Sequence, residues 1–179
     1  HASRVGDTRI QTLAPATPIA GEAAPSAFEI REHGVPYEVH LGDGLSTGIF
    51  LDQRDNRARI AAAAKGKSVL NLFGYTGAFS VAAAVHGARA STTVDVSKNV
   101  LDWARRNLAR VGAQPEDHAC IEAEVFTFLR TAKRNGRRWD LVIVDPPSFS
   151  TTKDSTFSAE TDLEELATAA LWVVEPGGQ

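Results

Sequence analysis

Methionine is absent from the 179 residues, and cysteine occurs once, at Cys120. A single thiol forms no internal disulfide and builds no zinc site, which fits a reducing cytoplasm. A chain that opens at His1 without an initiator methionine reads as processed or as part of a longer polypeptide. Long apolar runs are also lacking. Stretches such as Ile60 to Ala64 and Val81 to Val85 are short, whereas a bilayer span takes roughly 20 apolar residues and a signal peptide about 7 to 15 near its start. A soluble, unexported, cytoplasmic protein without membrane or metal partners is expected. Neither sign of charge dominates: 19 Lys and Arg against 22 Asp and Glu leave a net charge of −3. That balance argues against a simple electrostatic nucleic-acid binder but leaves room for a local basic site.

What the sequence does have is apolar side chain: 43% of positions, with three Trp, two Tyr and eight Phe. This is enough to offset the ordering entropy of one domain. No internal repeat interrupts it. Residues 1–27, rich in Ala, Pro, Thr and Gly, read as an extended arm or linker. Residues 28–67 read as a β-hairpin turned at Gly34, then a helix over 52–64 that Gly66 ends. From residue 68 onward the pattern alternates. Strands are expected at 68–73, 90–95, 118–122 and 141–145, the first and last apolar, with helices at 78–86, 97–111, 125–134 and 162–174. Four strands joined by three crossover helices predict an α/β fold, a parallel sheet with helices on both faces. In such sheets ligands bind beyond the carboxyl ends of the strands.

Those four ends carry the chemistry. The first reads Phe73-Gly74-Tyr75-Thr76-Gly77, where two glycines let backbone approach a ligand and free amides would suit an anion. It is only part of a G-x-G-x-x-G fingerprint, since Leu72 stands where the first glycine would be. A tight turn with nothing bound is the alternative. Asp95 ends the second strand, 95 − 74 = 21 residues later, where a carboxylate accepts both hydroxyls of a ribose. Its alternative is a helix-capping role shared with Ser97. Together these two ends favour an adenosine cofactor and leave dinucleotide and S-adenosylmethionine both open. At the third end Glu124 could take an adenine amine while the Val125 amide faces the ring. At the fourth, two prolines make a rigid turn that lifts Asp145 and the Pro146 carbonyl above the sheet. A nicotinamide dehydrogenase has no need of such a turn.

The motifs Phe73-Gly74-Tyr75-Thr76-Gly77, Thr92-Thr93-Val94-Asp95-Val96-Ser97, Leu101 to Leu108 and Asp145-Pro146-Pro147-Ser148-Phe149-Ser150, with Thr47 to Arg54 upstream, resemble class I S-adenosylmethionine-dependent ribosomal RNA methyltransferases of the RlmI/RlmK group. The Ser91 to Asp95 strand and the Trp103-Ala104 helix look most like the RlmK half of the bifunctional RlmKL enzymes, which methylate N7 of a guanosine in 23S rRNA. The resemblance implies a Rossmann-like domain over 68–179, S-adenosylmethionine as cofactor and ribosomal RNA as partner. It implies a cofactor site of Phe50, Asp52, Gln53, Arg54, Phe73, Gly74, Tyr75, Thr76, Gly77, Asp95, Val96, Ser97, Glu124, Val125 and Asp145. Asp145, Pro146 and Phe149 would meet the target base, with Phe149 stacking on it. Three departures stand out. Glu124 replaces the family's usual Asp, the group's RNA-binding module is missing, and a seven-stranded sheet would need three more strands after Gly178. The fold is therefore expected to be truncated, with an unpaired fourth strand.

Other residues read more plainly. Arg130, Lys133, Arg134, Arg137 and Arg138 form a basic run at the far end of its helix, a solvated helix terminus. Arg54, Arg57 and Arg59 could contact phosphate or form surface salt bridges. His33, His40, His86 and His118 lack metal-ligand spacing, and Lys153 could touch a phosphate. Cys120 lies inside its strand and reads as a core residue, whereas methylation of cytosine C5 needs a thiolate nucleophile. Taken with the resemblance to the RlmK half, this makes N7 of a guanosine the favoured target. Cytosine C5 remains open if a cysteine lies beyond Gln179, and a non-catalytic nucleotide- or RNA-binding module is the rival of another class.

Overall fold

The computed structural model describes residues 18, 20–41, 46–151 and 156–179. Strand β1 (Phe28–Glu32) pairs antiparallel with β2 (Val35–Val39). His33 and Gly34 both take positive φ, +49° and +82°, at the turn between them, the conformation that two-residue hairpins favour. A short 3₁₀ turn, Leu51–Gln53, leads into α1 (Arg54–Ala63). Next come β3 (Ser68–Leu72), α2 (Ala78–Val85), β4 (Ala90–Asp95), α3 (Lys98–Arg110), β5 (His118–Glu122), α4 (Val125–Arg134) and β6 (Leu141–Val144). The sheet has order β5-β4-β3-β6 and is parallel throughout.

Alternation along β3 divides the core. Leu70 and Leu72 face α4 and the last helix, α5 (Ala159–Leu171), packing with Val94, Leu129 and Leu166. Val69 faces α1 and α2, packing with Phe79 and Ala83. The hairpin is integral to this second layer: Val35, Tyr37 and Val39 are buried with Val81 of α2 and Leu108 of α3. Helices thus cover both faces, as the alternating pattern requires.

Three local features differ from expectation. A small hairpin, β7 (Phe149–Thr151) with β8 (Thr156–Ser158), follows the double proline. Its Ser/Thr-rich sequence carries no apolar alternation to announce it. Helix α5 begins and ends three residues earlier than expected, because Asp162 accepts the Ser158 N–H at 2.9 Å and Val174 turns away to bridge Trp139. The outer edge of β6 is also occupied at its start. Gln179 donates to the Asp140 carbonyl (2.9 Å) and accepts from Val142 N–H (2.8 Å), the bonding pattern of a parallel neighbour around Leu141. No described helix is long and apolar enough to cross a membrane.

Candidate functional site

The Phe73–Gly77 loop is built under strain and locked from several sides. Phe73 and Tyr75 take φ of +54° and +48°, a region that non-glycine residues enter only when their surroundings force it. A Cβ on Gly74 would stand 2.4 Å from Thr93 Cγ2, so only glycine fits between the two strands. Gly74 N–H donates to Val94 O (2.9 Å), Tyr75 N–H to Asp95 Oδ2 (3.0 Å) and Gly77 N–H to Gly74 O (2.8 Å). The expectation of free loop amides therefore needs correction: these three are already satisfied within the protein. Underneath, Asn71 Nδ2 donates to Ser80 Oγ, which bonds Thr93 Oγ1. Asn107, fully buried, accepts from Glu38 N–H and donates to Thr76 O. Thr76 itself is buried and donates to Gly48 O.

Asp95 closes the loop against β4. Its second oxygen accepts the Ser97 N–H at 2.9 Å. Ser97 occupies the N-cap position of α3, but its side chain makes no capping bond; Asp95 instead holds the backbone of Ser97 itself. Each Asp95 oxygen, with one backbone donor, retains a lone pair for a further bond. Beside it Val96 is 41% exposed, an apolar surface at the carboxyl end of the sheet. Glu124 caps α4, accepting from Phe126 N–H (2.9 Å) and Thr127 N–H (2.7 Å), while the Val125 side chain is buried in the core. That capping role is what sequence reading missed at Glu124, although an acid directly before a helix is its usual sign.

The upstream motif reaches the same place. Gln53 Nε2 donates to Asp145 Oδ1 (3.1 Å), and Asn56 Nδ2 donates to Gln53 Oε1 (2.7 Å). The Phe50 ring, 47% exposed, lies 5.4 Å from that of Tyr75 in the glycine loop. Burial, reinforced by the nearby Asp52 charge and opposed by Arg57, pushes the Asp145 carboxyl above the ordinary aspartate range. Phe149 is 59% exposed on β7. Phe50, Gln53, Asp145, Tyr75 and Asp95 are thus linked by contacts at the carboxyl ends of β3, β4 and β6. Arg54 is not among them: its Nε lies 3.3 Å from His33 Nε2 at the hairpin turn.

Three cations have other work. Arg57, considered for phosphate, is instead 2% exposed and forms a bidentate pair with Glu32. Nothing in its neighbours' sequence signals this, because Glu32 is 25 residues away. In the basic run, Lys133 Nζ sits 3.4 Å from the Trp172 ring centroid and Arg137 lies over Trp139. Lys153 falls outside the described residues.

The shape and chemistry suit an adenosine-bearing ligand. There is a loop too close to its neighbours for any Cβ at Gly74, a carboxylate with spare lone pairs, and an exposed apolar residue next to it. Comparison with known proteins agrees. The large-subunit ribosomal RNA methyltransferase K of Neisseria meningitidis serogroup B is 49% identical over 126 residues, 70% of this chain and 36% of its own length. The K/L enzyme of Alteromonas mediterranea is 44% identical over 145 residues, 80% of this chain and 20% of its own. This chain therefore spans about a fifth to a third of these relatives. Among solved structures, the protein SMU.776, assigned as a methyltransferase and complexed with SAH, has TM-score 0.85 at 40% identity, covering 89% of this chain and 42% of that one. The SAM-dependent methyltransferase of Agrobacterium tumefaciens has TM-score 0.81 at 26% identity, covering 88% and 51%. With residues 7–178 matching its description, the chain belongs to the S-adenosylmethionine-dependent methyltransferase family.

Proposed function

We propose that this chain forms the cofactor-binding and catalytic part of an enzyme that methylates N7 of a guanosine in large-subunit (23S) ribosomal RNA. The observation that carries the reading is the convergence of Gln53 and Asp145 beside a glycine loop held by Asp95. The names of the relatives from Neisseria and Alteromonas supply the RNA class. S-adenosylmethionine supplies an activated methyl on a positively charged sulfur, so the protein's task is to orient donor and acceptor. We assign the 73–77 loop to the methionine end, Asp95 to the ribose, Val96, Glu124 and the Val125 amide to the adenine, and Asp145 with Pro146 to the target base. Phe149 stacks on that base once it leaves its helix, and residues 50–53 border it. Residues 68–179 hold the cofactor, and 28–67 form the wall on the acceptor side.

The choice of N7 rests on what the acceptor atom needs. Guanine N7 has a lone pair and no proton, so neither a nucleophile nor a strong base is required. Cytosine C5 requires a thiolate to add to the ring first. Cys120 is in the middle of β5, paired with Thr93, and burial pushes its thiol up, away from the reactive thiolate. The test gives methyl-labelled cofactor and unmodified ribosomal RNA to the intact polypeptide and digests the RNA to nucleosides. Label in N7-methylguanosine is expected. Label in 5-methylcytidine or N2-methylguanosine overturns the assignment, and cofactor binding without transfer points to a binding module.

A further inference from the structure

We propose that Arg57 and Glu32 are a positioning pair that holds the Leu51–Gln53 turn at Asp145, which makes the β1–β2 hairpin a working part of the active site. The inference rests on the reading of Asp145 as a residue of that site. Arg57 lies on α1 and Glu32 ends β1. Its guanidinium donates through Nε to Glu32 Oε1 (2.8 Å) and through Nη2 to Glu32 Oε2 (2.6 Å). The remaining nitrogen, Nη1, donates to the Phe50 carbonyl (2.8 Å). One buried fork therefore ties together the hairpin, the residue before the 3₁₀ turn and the helix after it.

What that fork fixes is visible one step away. Gln53 ends the 3₁₀ turn, and its N–H donates to the same Phe50 carbonyl at 3.3 Å. Its side-chain oxygen is taken by Asn56, which leaves the amide N–H pair to face Asp145. The carboxylates of Asp52 and Asp145 repel each other, so without a tether the turn would drift from Asp145. A lysine could neutralise Glu32 but could not reproduce this planar fork, because its three donors sit on one rotating nitrogen at the end of a flexible stem. Burial at 2% exposure keeps water from competing for these bonds.

The variants that separate geometry from charge are Arg57→Lys and, should it not fold, Glu32→Asp. Both keep every formal charge, and for the titration the parent and each variant carry Asp52→Asn, so that a drifting turn takes no charge away from Asp145. The intact polypeptide, labelled with ¹³C at aspartate carboxyls, is titrated by NMR. In the folded variant the Asp145 carboxyl should titrate higher than in the parent, because the Gln53 donor that favours its charged form has moved away. Gln53→Ala should raise it in the same direction, and adding Arg57→Lys to Gln53→Ala should raise it no further. Methyl transfer at saturating cofactor should fall about tenfold while the dissociation constant for S-adenosylhomocysteine changes less than about threefold. An Asp145 titration identical to the parent's in either folded variant would overturn the proposal, as would further displacement in the double variant. If the parent itself transferred no methyl group, the functional reading would fail, yet the carboxyl titration would still decide the role of the pair.

Discussion

Gln53 and Asp145, separated by 92 positions, meet through a 3.1 Å hydrogen bond from the amide nitrogen to Oδ1. It joins the turn before the first long helix to the rigid Asp-Pro-Pro segment after the last strand of the parallel sheet. Gln53→Ala removes two side-chain bonds at a partly exposed site, so its unfolding free energy should fall by no more than about 1 kcal/mol. Turnover should fall roughly tenfold, since a misplaced acceptor-side group costs rate rather than stability. Denaturant melts and steady-state kinetics on the same preparation check both.

Asp145→Asn should have opposite effects on stability and rate. The folded carboxyl titrates above its unfolded value because burial and Asp52 disfavour the charge. Its contribution to stability is therefore full at low pH and declines as pH rises through the ordinary and then the raised titration range, leaving a penalty at neutral pH. The amide removes that penalty: the variant should melt higher than the parent at pH 7, and the difference should vanish in acid. Methyl transfer should drop at least about tenfold.

Glu38 carries the opposite sign. Hydrogen bonds from Arg106 above all, with His40 and Arg110, lower its carboxyl to about 2 despite burial. Its stabilisation is complete above the ordinary glutamate range and is lost as pH falls toward about 2. Glu38→Gln should cost about 2 kcal/mol at pH 7, the scale of a charge-assisted bond network. The gap between parent and variant should close progressively below pH 4.

Gly74→Ala tests the close approach of the loop to β4. The added methyl would meet Thr93 Cγ2 at 2.4 Å, and nearby Asn71 cannot yield without breaking its bond to Ser80. A loss of about 1 to 3 kcal/mol is expected, the range for overpacking. Gly66→Ala meets no atom within 4 Å, so it should lose only the roughly 1 kcal/mol of a positive-φ position.

Much of this arrangement is legible in the chain itself. The four parallel strands are visible because Ser68–Leu72 and Leu141–Val144 are largely apolar, and Ala90–Asp95 and His118–Glu122 are short β-prone segments between helices. Asp95 and Asp145 are visible because they end such segments. Partners brought together by tertiary packing are not: no local pattern links Arg57 to Glu32, or Asn107 to Thr76 and Glu38. The Phe149–Ser158 hairpin was hidden by its polar composition, and the fate of loop amides depended on Val94 and Asp95, which only the sheet brings alongside.

The most direct measurement is a calorimetric titration of S-adenosylmethionine, with NAD as the control, into the parent and into Asp95→Ala, each shown to be folded by its melting curve. The parent should bind S-adenosylmethionine and not NAD, and loss of two charge-assisted bonds to the ribose should weaken Asp95→Ala by about 2 to 4 kcal/mol. Equal affinity in parent and folded variant, or a preference for NAD, would contradict the assignment of this strand end to the cofactor.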